Sequence, residues 1–84
     1  MTVKGAVVRV RGSVVDVRFP DGELPDIGEA LFIDHAGRKL VLEVQQHTDV
    51  GQVRTVALDY TEGLRRGLPV ERSCWEVSLE NNRL

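Results

Sequence analysis

The 84 residues are expected to fold as an all-β protein, a small closed or nearly closed antiparallel barrel of six short strands. Three features carry this. Apolar and polar residues alternate at period two in several short runs, and turns bearing Gly or Pro separate those runs at regular spacing. Nowhere before residue 70 does an apolar i, i+3, i+4, i+7 pattern persist, so no helix competes. The barrel is expected over 1–70, followed by a tail over 71–84 whose pattern settles no structure.

The clearest run is Ala6 to Phe19, AVVRVRGSVVDVRF, a hairpin written around Gly12-Ser13. Gly at the first central position suits a tight type II′ turn. That turn sets Arg11 opposite Val14, Val10 opposite Val15, Arg9 opposite Asp16, Val8 opposite Val17 and Ala6 opposite Phe19. One face is then apolar. On the other, Arg9 and Asp16 are expected to pair across the strands for roughly 0.2–1 kcal/mol. A slip of one residue would send the valines into water, so burial specifies the register.

Pro20 to Glu29 holds two prolines, two glycines and four acids, the chemistry of a loop. Leu24 and Ile27 within it are expected to tuck back over one end of the barrel. The prolines interrupt the regular ligand spacing that a calcium loop would need. Ala30 to Asp34 and Lys39 to Gln46 alternate as strands, with Leu31, Ile33, Leu40, Leu42 and Val44 facing inward and Gly37 in the turn between. His47 to Gly51 is a second loop. In Gln52 to Leu58, Val53 and Ala57 fall on one face while Val56 and Leu58 fall on the other, as in a strand covered on both sides. Asp59 to Gly67 is polar, punctuated by glycine, and carries the adjacent arginines Arg65 and Arg66. Leu68-Pro69-Val70 is a short strand that Pro69 confines to an edge or a strand end.

Composition bounds the function. The hydrophobic share of 42% with 29% charged residues is that of a globular domain, and the net charge of −2 offers no overall attraction to nucleic acid. With Cys74 as the single cysteine, no disulfide forms within the chain, which fits a reducing, intracellular setting. No stretch approaches the ~20 apolar residues of a membrane-spanning helix, and no apolar leader follows Met1, so no direct membrane contact is expected. His35 and His47 fall in different loops, whereas zinc needs three or four ligands at close spacing. Ser13, Ser73 and Ser78 lack the G-x-S-x-G elbow of a hydrolase. No catalytic, cofactor-binding or metal residue is therefore nominated. Trp75, Val77 and Leu79 alternate as a strand would, while Trp75 and Leu79 also stand four apart as on a helix; an ordered tail would lay Trp75 over the barrel.

Several segments, taken in order, resemble the amino-terminal domain of the beta subunit of the F-type ATP synthase. They are Gly5 to Val10, Gly12 to Phe19, Leu24 to Ile27, Ala30-Leu31, Leu42 to Val44, and Val53 to Asp59 running into Thr61 to Gly67. The resemblance implies a six-stranded barrel in the crown of the catalytic head, where alternating alpha and beta barrels join into a ring. The parent complex would couple proton or sodium transport to ATP synthesis or hydrolysis, on the cytoplasmic side and peripheral to the inner membrane. Alpha-type subunits are the implied partners, met through exposed strand edges. Glu62, Arg65 and Arg66 are expected either to face a neighbouring barrel or to form a solvated turn. In isolation a monomer or weak oligomer is expected.

The same resemblance assigns ATP, ADP and magnesium to a following domain with a phosphate loop of the form G-x-x-x-x-G-K-[ST]. No Gly-Lys-[Ser/Thr] occurs in these 84 residues, so no cofactor and no enzymatic activity are expected of this chain alone. The competing reading is a free-standing barrel that binds another protein or RNA. RNA would require a basic groove with aromatic stacking platforms.

Overall fold

In the computed structural model, which describes residues 2–20 and 24–73, six antiparallel strands close into a barrel. They are β1 (Thr2–Arg11), β2 (Val14–Arg18), β3 (Ala30–His35), β4 (Arg38–Asp49), β5 (Gln52–Ala57) and β6 (Pro69–Ser73). Around the barrel the order is β1-β2-β5-β4-β3-β6, and β6 returns to pair with β1. The interior is filled by Val15 and Val17 of β2, Leu31 and Ile33 of β3, Leu40, Leu42 and Val44 of β4, with Val7, Phe19, Val53, Ala57 and Val70. Each larger aliphatic side chain so buried contributes on the order of 1.5–3 kcal/mol.

The first hairpin keeps its expected register near the turn, where Gly12 has φ 58 and Arg11, Val10 and Arg9 pair with Val14, Val15 and Asp16. Beyond Arg9 a β-bulge shifts it. Val7, not Val8, stands opposite Val17, and Ala6 stands opposite Arg18 instead of Phe19. A bulge bends a strand and increases its twist, which lets the ten-residue β1 follow the curve of a small barrel. Gly5 lies beyond the bulge, where a Cβ would come 2.7 Å from the Arg18 carbonyl oxygen and 2.9 Å from the Phe19 ring. The expected pairing of Arg9 with Asp16 is also corrected: Arg54 Nε, from β5 on the other flank, donates to Asp16 Oδ1 at 3.0 Å. That hydrogen bond, and then the carboxylate charge, hold the Arg54 proton more tightly than usual.

Leu24 packs against the core as expected, but Ile27 is 66% exposed. Pro25 is buried in its place, and its carbonyl accepts a hydrogen bond from His47 Nε2 at 2.8 Å. Ile27 is left at a turn apex, because Gly28 N donates to Val44 O and Val44 N donates to Glu29 O on the far side of it. The β3–β4 turn is two residues, Ala36 and Gly37, both at positive φ (53 and 76), as a type I′ hairpin requires. The strand after it outruns expectation: β4 continues through His47 to Asp49, bulged at Gln45 and Thr48, and the loop shrinks to Val50 and Gly51.

Strand β5 is buried on one side rather than both. Val53, Thr55 and Ala57 point inward, and Leu58, past the strand end, is 62% exposed. The ambiguity came from Thr55, a polar residue at an interior position whose hydroxyl donates to the Val15 carbonyl at 2.8 Å. In β6, Pro69 is the first residue, so its missing N–H costs no ladder bond deeper in the sheet. The strand continues to Ser73, pairing Arg72 with Leu31 and Glu71 with Phe32 to close the barrel. Glu71 to Ser73, grouped with the tail by sequence pattern, are thus part of the sheet. Residues 74–84, and with them the expectations for Cys74, Trp75, Val77, Ser78 and Leu79, lie outside the described residues.

Candidate functional site

The segment from Leu58 to Leu68 carries the three nominated residues and runs from β5 across one end of the barrel to β6. Two turns of one design shape it. Leu64 N donates to Thr61 O at 3.0 Å with Gly63 third in the turn at φ 88, and Leu68 N donates to Arg65 O at 3.4 Å with Gly67 third at φ 94. A type II turn demands positive φ at its third position, which glycine alone adopts freely. The sequence Thr61-Glu62-Gly63-Leu64 followed by Arg65-Arg66-Gly67-Leu68 is therefore one turn written twice. Each copy sends its leucine against the core and leaves its charged residues outside.

Five hydrogen bonds hold this strap in place, beginning with Leu58 N, which donates to Val41 O at 3.0 Å. Thr61 Oγ1 donates to Gly12 O at 2.8 Å, and Arg38 Nη2 donates to Tyr60 O at 3.2 Å. Val7 N donates to Leu68 O at 2.9 Å, and Gly67 N donates to Val7 O at 2.8 Å. Arg38 also lies 3.7 Å from Asp59, an exposed pair worth at most about 1 kcal/mol. Gly63 is close enough to His35 that a Cβ there would meet Nε2 at 2.9 Å. The strap is tied to the turns of both hairpins at this end, so the positions of its side chains follow from the barrel.

Glu62, Arg65 and Arg66 are all exposed on this strap, and none of them forms an ion pair among the described residues. They share one segment without converging on a cleft. Charges of both signs held outward on a pinned loop can engage a neighbouring chain. Tyr60, 78% exposed, and Leu58 stand at the start of the same strap. The pinning residues Thr61 and Arg38 were not foreseen, although the repeated x-x-Gly-Leu unit was there to signal the paired turns. His35 and His47 stay apart: one ends β3 beside the strap, and the other bonds Pro25 toward the opposite end. Among the described residues no group of three His, Cys, Asp or Glu is placed to hold a metal ion.

With this geometry in hand, the comparison with known families is direct. The family model for the beta-barrel domain of the ATP synthase alpha/beta family matches residues 7–73. The match begins inside β1, takes in the other five strands and the strap, and ends where β6 ends. It treats alpha and beta subunits as one family and agrees at that level with the segments quoted above.

Proposed function

The chain belongs to the ATP synthase alpha/beta family through its beta-barrel domain, and from that premise we propose that it is the non-catalytic crown barrel of a beta-type subunit, joined to alpha-type barrels. The family match over residues 7–73 carries this reading. The ordered segments that resemble a beta subunit, from Gly5-Ala6-Val7 to Arg65-Arg66-Gly67, favour beta over alpha. Closure of the barrel changes how such a contact is made. A closed barrel has no free edge strand to template pairing, so association runs through outer faces and end loops. Glu62, Arg65 and Arg66 are offered to the neighbour at the rim of that contact. Nucleotide and magnesium belong to another domain of the parent subunit, whose complex works on the cytoplasmic side of an inner membrane and couples proton or sodium transport to ATP chemistry.

Sedimentation of the chain mixed with an alpha-type amino-terminal barrel tests the proposal. A one-to-one complex at tens of micromolar is expected, and alanine at Glu62, Arg65 and Arg66 together weakens it by a few fold, as rim charges do. The absence of any complex, or ATP binding by the chain alone in calorimetry, would overturn the reading.

A further inference from the structure

One outer face of the barrel is opposite in charge to the chain as a whole. Strand alternation points Arg9 and Arg11 of β1, Asp16 and Arg18 of β2, and Arg54 of β5 away from the core. Cross-strand register gathers them. Arg9, Asp16 and Arg54 form one row across three strands, with Arg11 in the adjoining row beside Val14 and Val56, and Arg18 in the row on the other side beside Gln52. Same-face rows lie ~7 Å apart and neighbouring strands ~4.8 Å apart, so the four guanidinium groups spring from a patch roughly 10 by 14 Å. Four arginines against one aspartate leave +3 on this face, in a chain whose net charge is −2.

Arg54 is engaged, through Nε on Asp16. Arg9, Arg11 and Arg18 are exposed and make no ion pair or side-chain hydrogen bond among the described residues. Elsewhere on the outer surface the charges are compensated. Lys4, at the other end of β1, lies 4.0 Å from Glu71 of β6, and on β4 Lys39 stands opposite Asp34 with its Nζ 5.5 Å from the centre of the Phe32 ring. Neither lysine falls within the patch, whose cations are all arginine. Arginine presents a planar fork that takes a carboxylate through two parallel bonds, is weakly hydrated, and is enriched at protein interfaces. Unpaired guanidinium groups crowded together repel one another until an acid meets them. No strand face of equal negative charge exists among the described residues, so a second copy of this chain does not supply the complement. The face has no aromatic ring on which a base would stack, which sets it apart from a single-strand nucleic-acid site.

We infer that the outer face of β1, β2 and β5 is a docking surface for a carboxylate-rich protein surface on a different chain. The inference rests on the reading of this barrel as a member of a mixed ring, and it names the chemistry that the neighbour must present. The test uses the full chain with an alpha-type amino-terminal barrel, measured by sedimentation and fluorescence anisotropy. Raising sodium chloride from about 50 to about 500 mM weakens the complex about tenfold or more. Arg9→Glu, Arg11→Glu and Arg18→Glu together weaken it roughly 100-fold with the melting temperature unchanged, whereas alanine at the three strap charges changes it only a few fold. Arg→Gln at the same positions replaces the reversal should the reversed chain fail to fold.

A complex that survives the triple reversal overturns the face while leaving the ring reading intact. If no complex forms with the unaltered chain, the ring reading falls, and a polyglutamate peptide decides the face: binding that the triple variant loses sustains it, and no binding overturns it. Tighter binding of oligouridine than of polyglutamate, or self-association that the triple reversal abolishes, would overturn the assignment to an acidic surface on another chain.

Discussion

Asp16 stands between two arginines, Arg9 on β1 and Arg54 on β5, and its carboxylate is bonded to the second. The choice follows from solvent. Arg54 is only partly exposed and lies against a carboxylate that is 6% exposed, while Arg9 is open to water that weakens any charge pair it makes. A hydrogen bond to a charged group contributes about 1.5–3 kcal/mol, against about 0.5 kcal/mol or less for removing a solvated surface charge. Asp16→Ala is therefore expected to cost about 1.5–3 kcal/mol in urea denaturation, and Arg9→Ala about 0.5 kcal/mol or less. Double-mutant cycles should find coupling in the Asp16/Arg54 pair and almost none in Asp16/Arg9; equal coupling would return the ion pair to the hairpin. The hairpin sequence could place Arg9 opposite Asp16 because the turn at Gly12-Ser13 dictates that register. It could not place Arg54, which is 38 residues away and comes alongside only when β5 docks on β2.

At the scale of the strands, the weakest joint is the one that closes the barrel. Strand β6 meets β3 through only two register pairs, Leu31 with Arg72 and Phe32 with Glu71, against five between β2 and β5. A half-hidden ion pair reinforces it: Arg72 Nε and Nη2 donate to Glu29 Oε2 and Oε1 at 2.5 and 3.2 Å, with 17% and 16% of the two side chains exposed. Glu29→Gln keeps the shape and removes the charge. It is expected to cost about 1.5–3 kcal/mol and to speed amide exchange in β3 and β6 while β4 and β5 remain protected. Uniform acceleration in all strands would show that the seam has no separate opening. Inward positions in β3, and in β4 as far as Val44, were legible in the sequence because period two is unbroken there. Where it breaks, the reading failed for local reasons. The bulge at Val8 shifts a register that valine runs on both sides conceal, Thr55 places a hydroxyl inside, and Pro25 takes the interior position that hydrophobicity assigned to Ile27. The strap was legible as exposed through its glycines. Of the basic face, Arg9, Arg11 and Arg18 could be read from one hairpin, and Arg54 could not.

At the scale of the molecule, closure makes the last residues of β6 necessary to the whole. Thr2 and Ser73 are cross-strand partners, so the strand that starts the barrel and the strand that ends it finish side by side. A sequence boundary at residue 70 would keep Pro69 and Val70 against β1 and discard Glu71 to Ser73. That removes both pairs between β6 and β3, three of the five between β6 and β1, and Arg72 with its bond to Glu29. The sheet would then have two open edges at β3 and β1, and the core behind them would meet water. A domain of this size holds on the order of 0.05–0.15 kcal/mol per residue in net stability. Loss of the Glu29–Arg72 bond alone, at about 1.5–3 kcal/mol, is a large part of that total, and the lost ladder adds to it. A chain of residues 1–73 is therefore expected to melt cooperatively by circular dichroism, whereas a chain of residues 1–70 is expected to be largely unfolded or to associate through its opened edges. Equal melting of the two would mean that the barrel stands without its seam, and that closure serves assembly rather than folding.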